Sequence, residues 1–81
     1  MAAKEMFEKL GYHQQLSSPV NYYKRLDVKH FNEILFIGSS GKVVFSSTCP
    51  IKDTIALTLP EIRAIAKQCE ELGWLEEDDN N

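Results

Sequence analysis

The side chains with the strongest affinity for a transition metal are His13, His30, Cys49 and Cys69. Zinc takes imidazole and thiolate in a tetrahedral set, yet no two of these stand at a C-x-x-C or H-x-x-x-H spacing. No metal and no cofactor is expected. Cys49 beside a histidine would make a nucleophile pair, but Pro50 follows it and neither an orienting group nor an oxyanion signature accompanies it. An enzyme is not expected. Gly38-Ser39-Ser40-Gly41-Lys42 has the residue types of a phosphate loop without the G-x-x-x-x-G-K-[ST] spacing, and it joins two apparent strands, as a hairpin turn does. Tyr22-Tyr23-Lys24-Arg25, with Lys29 and His30 nearby, is the better candidate. On an exposed sheet face, Tyr23 would stack on a base while Arg25 meets phosphate. No RNP-like aromatic consensus accompanies the run, and the acidic end of the chain repels a polyanion. Its plainer reading is a strand with one tyrosine in the core and a solvated Lys/Arg face.

The elements that position these residues begin with the stretch 57–74. Thr58 is placed as an N-cap, and Glu61 three residues later completes a capping box. Pro60 sits in the first turn, where its missing N–H costs nothing. Leu57 and Ile62 are spaced for a hydrophobic staple. Leu59, Ile62, Ile65, Ala66, Cys69 and Leu72 follow the i, i+3, i+4 rule and predict the buried stripe, with Arg63, Lys67 and Glu70 off it. Gly73 is a natural left-handed C′ residue, with Trp74 folding back towards Cys69. A shorter helix over 2–10 carries Ala3, Met6, Phe7 and Leu10 on one side and ends at Gly11-Tyr12. The pair Phe7-Glu8-Lys9-Leu10-Gly11-Tyr12 and Cys69-Glu70-Glu71-Leu72-Gly73-Trp74 shares one stop signal.

Between the helices, 13–18 reads as a polar connector, and Pro19 starts extended chain. Residues 20–26 are β-prone, 27–32 turn the chain, 33–37 make the strongest strand and 42–47 the next. A weaker fourth strand is expected over 51–57. The fold class is therefore α+β, in the order α-β-β-β-(β)-α: an antiparallel meander with both helices packed on one face. Strand 33–37 is apolar on both sides, since Ile34 and Phe36 point one way and Leu35 and Ile37 the other. Either neighbouring side chains cover its outer side or a partner does. The candidate interaction surface is Tyr23, Arg25, Leu35 and Ile37, or the opposite set if the register is flipped.

The chain has 81 residues, 43% of them hydrophobic, which suits one folded domain. Residues 1–75 are expected to form it and 76–81 an acidic, disordered tail. Residues 70–81 hold six acids and no base, while 1–69 carry all nine bases and a net charge of +3. No window reaches the ~20 apolar residues of a membrane span, and the first residues lack a signal-peptide core, so a cytoplasmic location is expected. Both cysteines are expected reduced, with Cys69 a small core residue.

With Met6-Phe7-Glu8-Lys9-Leu10-Gly11-Tyr12 at one end and Leu57-Thr58-Leu59-Pro60-Glu61-Ile62-Arg63-Ala64-Ile65 through Glu71-Leu72-Gly73-Trp74 at the other, the chain resembles short uncharacterised phage, prophage and mobile-element proteins of Gram-positive bacteria. The resemblance implies an intracellular accessory protein and brings no catalytic residues or ligands. The function expected is a non-enzymatic protein-interaction domain, binding a protein partner or itself as a homodimer. Two alternatives stand beside it. One is a weak single-stranded nucleic-acid binder using Tyr22, Tyr23, Lys24, Arg25 and Lys29. The other is an inhibitor of a host defence enzyme whose acidic end mimics nucleic acid.

Overall fold

A computed structural model describes residues 1–48 and 57–75. The elements run α1 (Ala3–Lys9), β1 (His13–Ser17), β2 (Val20–Arg25), β3 (Phe31–Ile37), β4 (Lys42–Ser47) and α2 (Leu59–Glu71). Among the described residues the strands form one four-stranded sheet in the order β1-β2-β3-β4, each pair antiparallel. Both helices pack on the side bearing Tyr22, Ile34 and Phe36. The α+β meander with its two helices on one face is the expected architecture.

Its strand composition differs from expectation. The polar connector 13–18 is largely β1, an edge strand whose residues are nearly all exposed. Backbone pairing to β2 holds it, and a bulge between Gln14 and Leu16 breaks the alternation that would announce a strand. Among the described residues, the fourth strand of the sheet is thus β1, at one edge. The strand expected over 51–57 falls outside the described residues except for Leu57, which is not in a strand. The turn after β2 is also tighter than 27–32. The amides of Leu26 and Asp27 both donate to the carbonyl of His30 (2.8 and 3.2 Å), so β3 starts at Phe31. Ser18 and Pro19, joined by a cis peptide bond, link β1 to β2. Gly38 to Gly41 form the hairpin turn, with Gly41 at φ 63°.

Both helices stop by the same device. After α1, Gly11 (φ 92°) donates to the Glu8 carbonyl at 3.0 Å and Tyr12 to that of Phe7 at 3.0 Å. After α2, Gly73 (φ 81°) donates to Glu70 at 3.0 Å and Trp74 to Cys69 at 2.9 Å. These are paired Schellman motifs, which place an aromatic side chain back over the last turn. The Tyr12 ring accordingly meets Phe7 edge-on, 5.7 Å between centroids. At its start α2 has the expected capping box: Thr58 Oγ1 accepts from the Glu61 amide, and Glu61 Oε1 accepts from the Thr58 amide. The helices run antiparallel, since the Ala3 amide donates to Glu71 at one end and the Tyr12 hydroxyl to Glu61 at the other.

The core is aromatic: Phe7, Tyr12, Tyr22 and Phe36, with Ile34 and Ala64. The Phe7 and Tyr22 rings stack at 4.0 Å, and Phe36 meets both of them edge-on. Here α2 departs from its expected stripe. It buries Glu61, Ala64 and Gln68, whereas Leu59 and Ile62 are 57% and 47% exposed and Leu72 is 38% exposed. Ala66 is exposed too, while Ile65 and Cys69 are half-buried at the edge of the core. The reason lies in the sheet floor and the α1 stop. Tyr12 Oη donates to Glu61 Oε2 at 2.9 Å, and Tyr22 Oη donates to Gln68 Oε1 at 2.5 Å. A buried hydroxyl without an acceptor costs about 1–3 kcal/mol, so the helix rolls until its acceptors face the tyrosines.

Two predictions follow from this geometry. Tyr22→Phe leaves the Gln68 carbonyl oxygen buried and unpaired and should lower stability by about 1–3 kcal/mol. Pairing it with Gln68→Met should restore most of the loss, and a urea double-mutant cycle reads the coupling. Gly11→Ala forces a side chain into the left-handed region and brings its Cβ to 3.3 Å from Lys24 Cε. It should cost about 1–2 kcal/mol, whereas Gly38→Ala, where a Cβ meets nothing within 4 Å, should stay within about 0.5 kcal/mol.

Candidate functional site

Side chains alternate across the sheet, so those facing away from the helices form one surface. Leu16, Asn21, Leu35 and Val44 lie abreast across all four strands. His13, Tyr23, Glu33 and Ser46 form the adjacent row. Arg25 opposite Phe31 closes one end, and Ile37 opposite Lys42 the other. Leu16 is 55% exposed and Val44 39%; Tyr23, Phe31, Leu35 and Ile37 are half-buried. The Tyr23 and Phe31 rings are neighbours, with centroids 4.9 Å apart. Asn21 is the buried member at 3% exposure. Its amide donates to Glu33 Oε2 at 2.7 Å, while its Oδ1 has no hydrogen-bond partner among the described residues.

The structure therefore brings Tyr23, Arg25, Leu35 and Ile37 together on the open face. It does not bring together the five basic-aromatic residues. Tyr22 has no exposure and is held by Gln68 beneath the helices. Lys24 lies on the helix side, its ammonium 5.5 Å from the Tyr12 ring centroid in a cation–π contact. Lys29 is in the β2–β3 turn, its amide bonded to Asp27. Of that set only Tyr23 and Arg25 lie on the open face, because adjacent strand residues point to opposite sides. Sequence reasoning missed Leu16, Phe31 and Val44 on this face. Phe31 continues the 33–35–37 alternation and was legible in principle; Leu16, after a bulge in a polar run, was not.

Glu61 and Asp27 are structural in their geometry. Both oxygens of Glu61 are occupied, one by the Thr58 amide and one by the Tyr12 hydroxyl. Asp27 accepts from the amides of Lys29 and His30 and meets the His30 ring at 2.8 Å. These contacts, that of the His30 ring foremost, hold its carboxyl below the usual range. Burial pushes the Cys69 thiol up, away from the reactive thiolate. Among the described residues no three His, Cys, Asp or Glu side chains gather as a metal would require, and no helix is long and apolar enough to cross a membrane. A cleft of about 460 Å³ lies between the β1–β2 turn, the β3–β4 turn and Trp74, with Phe36 and Val20 in its wall and Ser17 and Ser39 among its polar lining. Among the described residues no ionisable side chain lines it. Cys49 and the acidic segment 76–81, on which the mimicry expectation rests, lie outside the described residues.

Burial, followed by the hydrogen bond to Glu61, pushes the Tyr12 phenol far above its ordinary value. Burial, with the charges of Glu71 and Glu8, pushes Tyr22 to about 12. Both folded values exceed the unfolded value near 10, so this stabilisation is complete below about pH 10 and is lost as the pH rises through the folded values. Each phenol should then cost about 1.4 kcal/mol of stability per pH unit in that window. Urea midpoints measured at about pH 9 and about pH 11 check the slope, and Tyr22→Phe should reduce it. Comparison with known proteins finds no protein-family model, no curated protein and no solved structure that matches the chain, so what it does is read from its own surface.

Proposed function

We propose that the protein is a non-enzymatic interaction domain, an accessory protein of phage or prophage type working in the cytoplasm without a cofactor, and that it docks a protein partner on the open face of its sheet. One observation carries the reading. An apolar and aromatic surface formed by Leu16, Tyr23, Phe31, Leu35, Ile37 and Val44 spans the sheet, and nothing among the described residues covers it. Its composition is that of a docking patch. Tyr23 and Leu35 share its centre with the hydrogen-bonded pair Asn21 and Glu33, while Arg25, Lys42 and His13 stand at the margin. At about 25 cal/mol per Å² of apolar surface removed from water, covering such a patch supplies a driving force that no polar sheet face has. The adjacent Tyr23 and Phe31 rings with Arg25 alongside favour a second reading, single-stranded nucleic acid stacked on that end of the face.

Leu35→Lys separates these readings. Leu35 lies across the sheet from the helices, so the thermal midpoint should move little. Recovery of a crosslinked partner from the native host should fall by at least about tenfold, as for loss of a central interface anchor. Unchanged recovery would remove the open face from the interaction. Fluorescence anisotropy with a labelled single-stranded oligonucleotide at low salt is the second arm, and salt-sensitive binding there would favour the nucleic-acid reading.

A further inference from the structure

Glu33 is the sole acid in the four strands β1 to β4, and it stands near the middle of the open face. Tyr23 lies opposite it on β2 and Ser46 opposite it on β4, while Phe31 and Leu35 flank it along β3 on the same side. Its carboxylate is half-buried and accepts from the Asn21 amide at 2.7 Å. No lysine, arginine or histidine among the described residues lies within ion-pair distance of it. Arg25 stands on the other diagonal of the ladder, yet its guanidinium donates to the Val28 carbonyl at 3.2 Å instead. Asn21 itself is only 3% exposed, and its Oδ1 has no partner among the described residues. Its row neighbours Leu16, Leu35 and Val44 are all apolar. Sheet stability alone would favour an apolar residue there too, since a buried acceptor left unpaired is unfavourable.

We propose, on the footing that the open face docks a protein, that the partner presents an arginine whose guanidinium meets the Glu33 carboxylate and lies along the Tyr23 and Phe31 rings. Covering the face takes Glu33 out of water, and a buried carboxylate is tolerated only when it is paired. Among the described residues no cation is placed to pair it, so the partner supplies one. Arginine suits the position better than lysine. A planar guanidinium donates two parallel N–H bonds to a carboxylate and also stacks on aromatic rings, and the two rings stand beside Glu33 with centroids 4.9 Å apart. Asn21 acts as a positioning residue: its amide holds the carboxylate on the face, and the other acceptor positions of Glu33 are left for the guanidinium. The same negative charge opposes phosphate, which counts against nucleic acid stacked on these rings.

Two capped tripeptides test the site on the intact chain. One has arginine between two leucines; the other has citrulline there, which keeps the shape and loses the charge. In a nuclear magnetic resonance titration up to about 10 mM, the arginine peptide should shift the Glu33 carboxylate and the Tyr23 and Phe31 ring signals. The citrulline peptide should bind about tenfold more weakly, having lost the charge-assisted pair. Glu33→Gln keeps an acceptor for the Asn21 amide, so the fold should hold while the two peptides become equal. Asn21→Val should weaken the preference for arginine without lowering the urea midpoint. A purely structural asparagine gives the reverse, a lower midpoint and an unchanged preference. Equal binding of both peptides to the wild type, or face signals that stay still with the arginine peptide, overturns the proposal. So does movement of those signals with a single-stranded oligonucleotide alone. Lysine in the peptide binding as tightly as arginine overturns the choice of arginine. Equal peptide binding that Leu35→Lys abolishes would leave the docking face standing without its cation site, whereas partner recovery unchanged in Leu35→Lys removes the face itself, so the two failures are distinct.

Discussion

Two tyrosine hydroxyls set the arrangement of everything above the sheet. Tyr12 follows α1 and Tyr22 stands on β2, and both rings are fully buried. A phenol brings a large apolar surface into a core together with one polar atom that must find a partner there. The partners are Glu61 and Gln68, two turns apart on α2. Their separation of seven residues puts them on one side of the helix, so both bonds form at a single roll angle. Glu61 serves twice, since its other oxygen completes the capping box at the helix start. The roll of α2, its N-terminus and the position of the Tyr12 ring after α1 are therefore parts of one constraint.

That constraint decides which apolar residues remain outside. With Glu61 and Gln68 turned inward, Leu59 and Ile62 are left on the solvent side of a helix whose apolar arc is wider than the strip it buries. The described residues form two layers, one of helices and one of strands. The helices cover the Tyr22–Ile34–Phe36 side, and the other side of the sheet keeps an apolar strip bounded by charges. The proposed docking role rests on this strip, because contiguous exposed apolar area is uncommon in proteins without partners. Among the described residues, Glu61 is engaged in a cap, Asp27 in a turn, and Cys69 is a half-buried thiol raised by its burial.

The residue pattern determined every feature that local physics controls. The two helix stops at Gly11 and Gly73, the capping box of Thr58 and Glu61, the glycine turn before Lys42 and the two-sided apolar character of 33–37 are all written in short stretches. They depend on backbone conformation and nearest neighbours, so one window of sequence is enough to read them. The grouping of Tyr23, Arg25, Leu35 and Ile37 was legible for the same reason, since strand alternation is local and only the choice of face had to be guessed.

Tertiary structure decided what depends on partners distant in the chain. β1 is a strand because β2 pairs with it; a bulged, polar, exposed edge carries no period of its own. The burial of Glu61 and Gln68 was hidden because their polarity reads as outward until a tyrosine hydroxyl is placed opposite, 49 and 46 residues away in sequence. The exposure of Leu59 and Ile62 is the other side of that choice. Amphipathic spacing tells which residues are fit for burial, but the satisfaction of buried polar atoms tells which are buried, and that requires the whole fold.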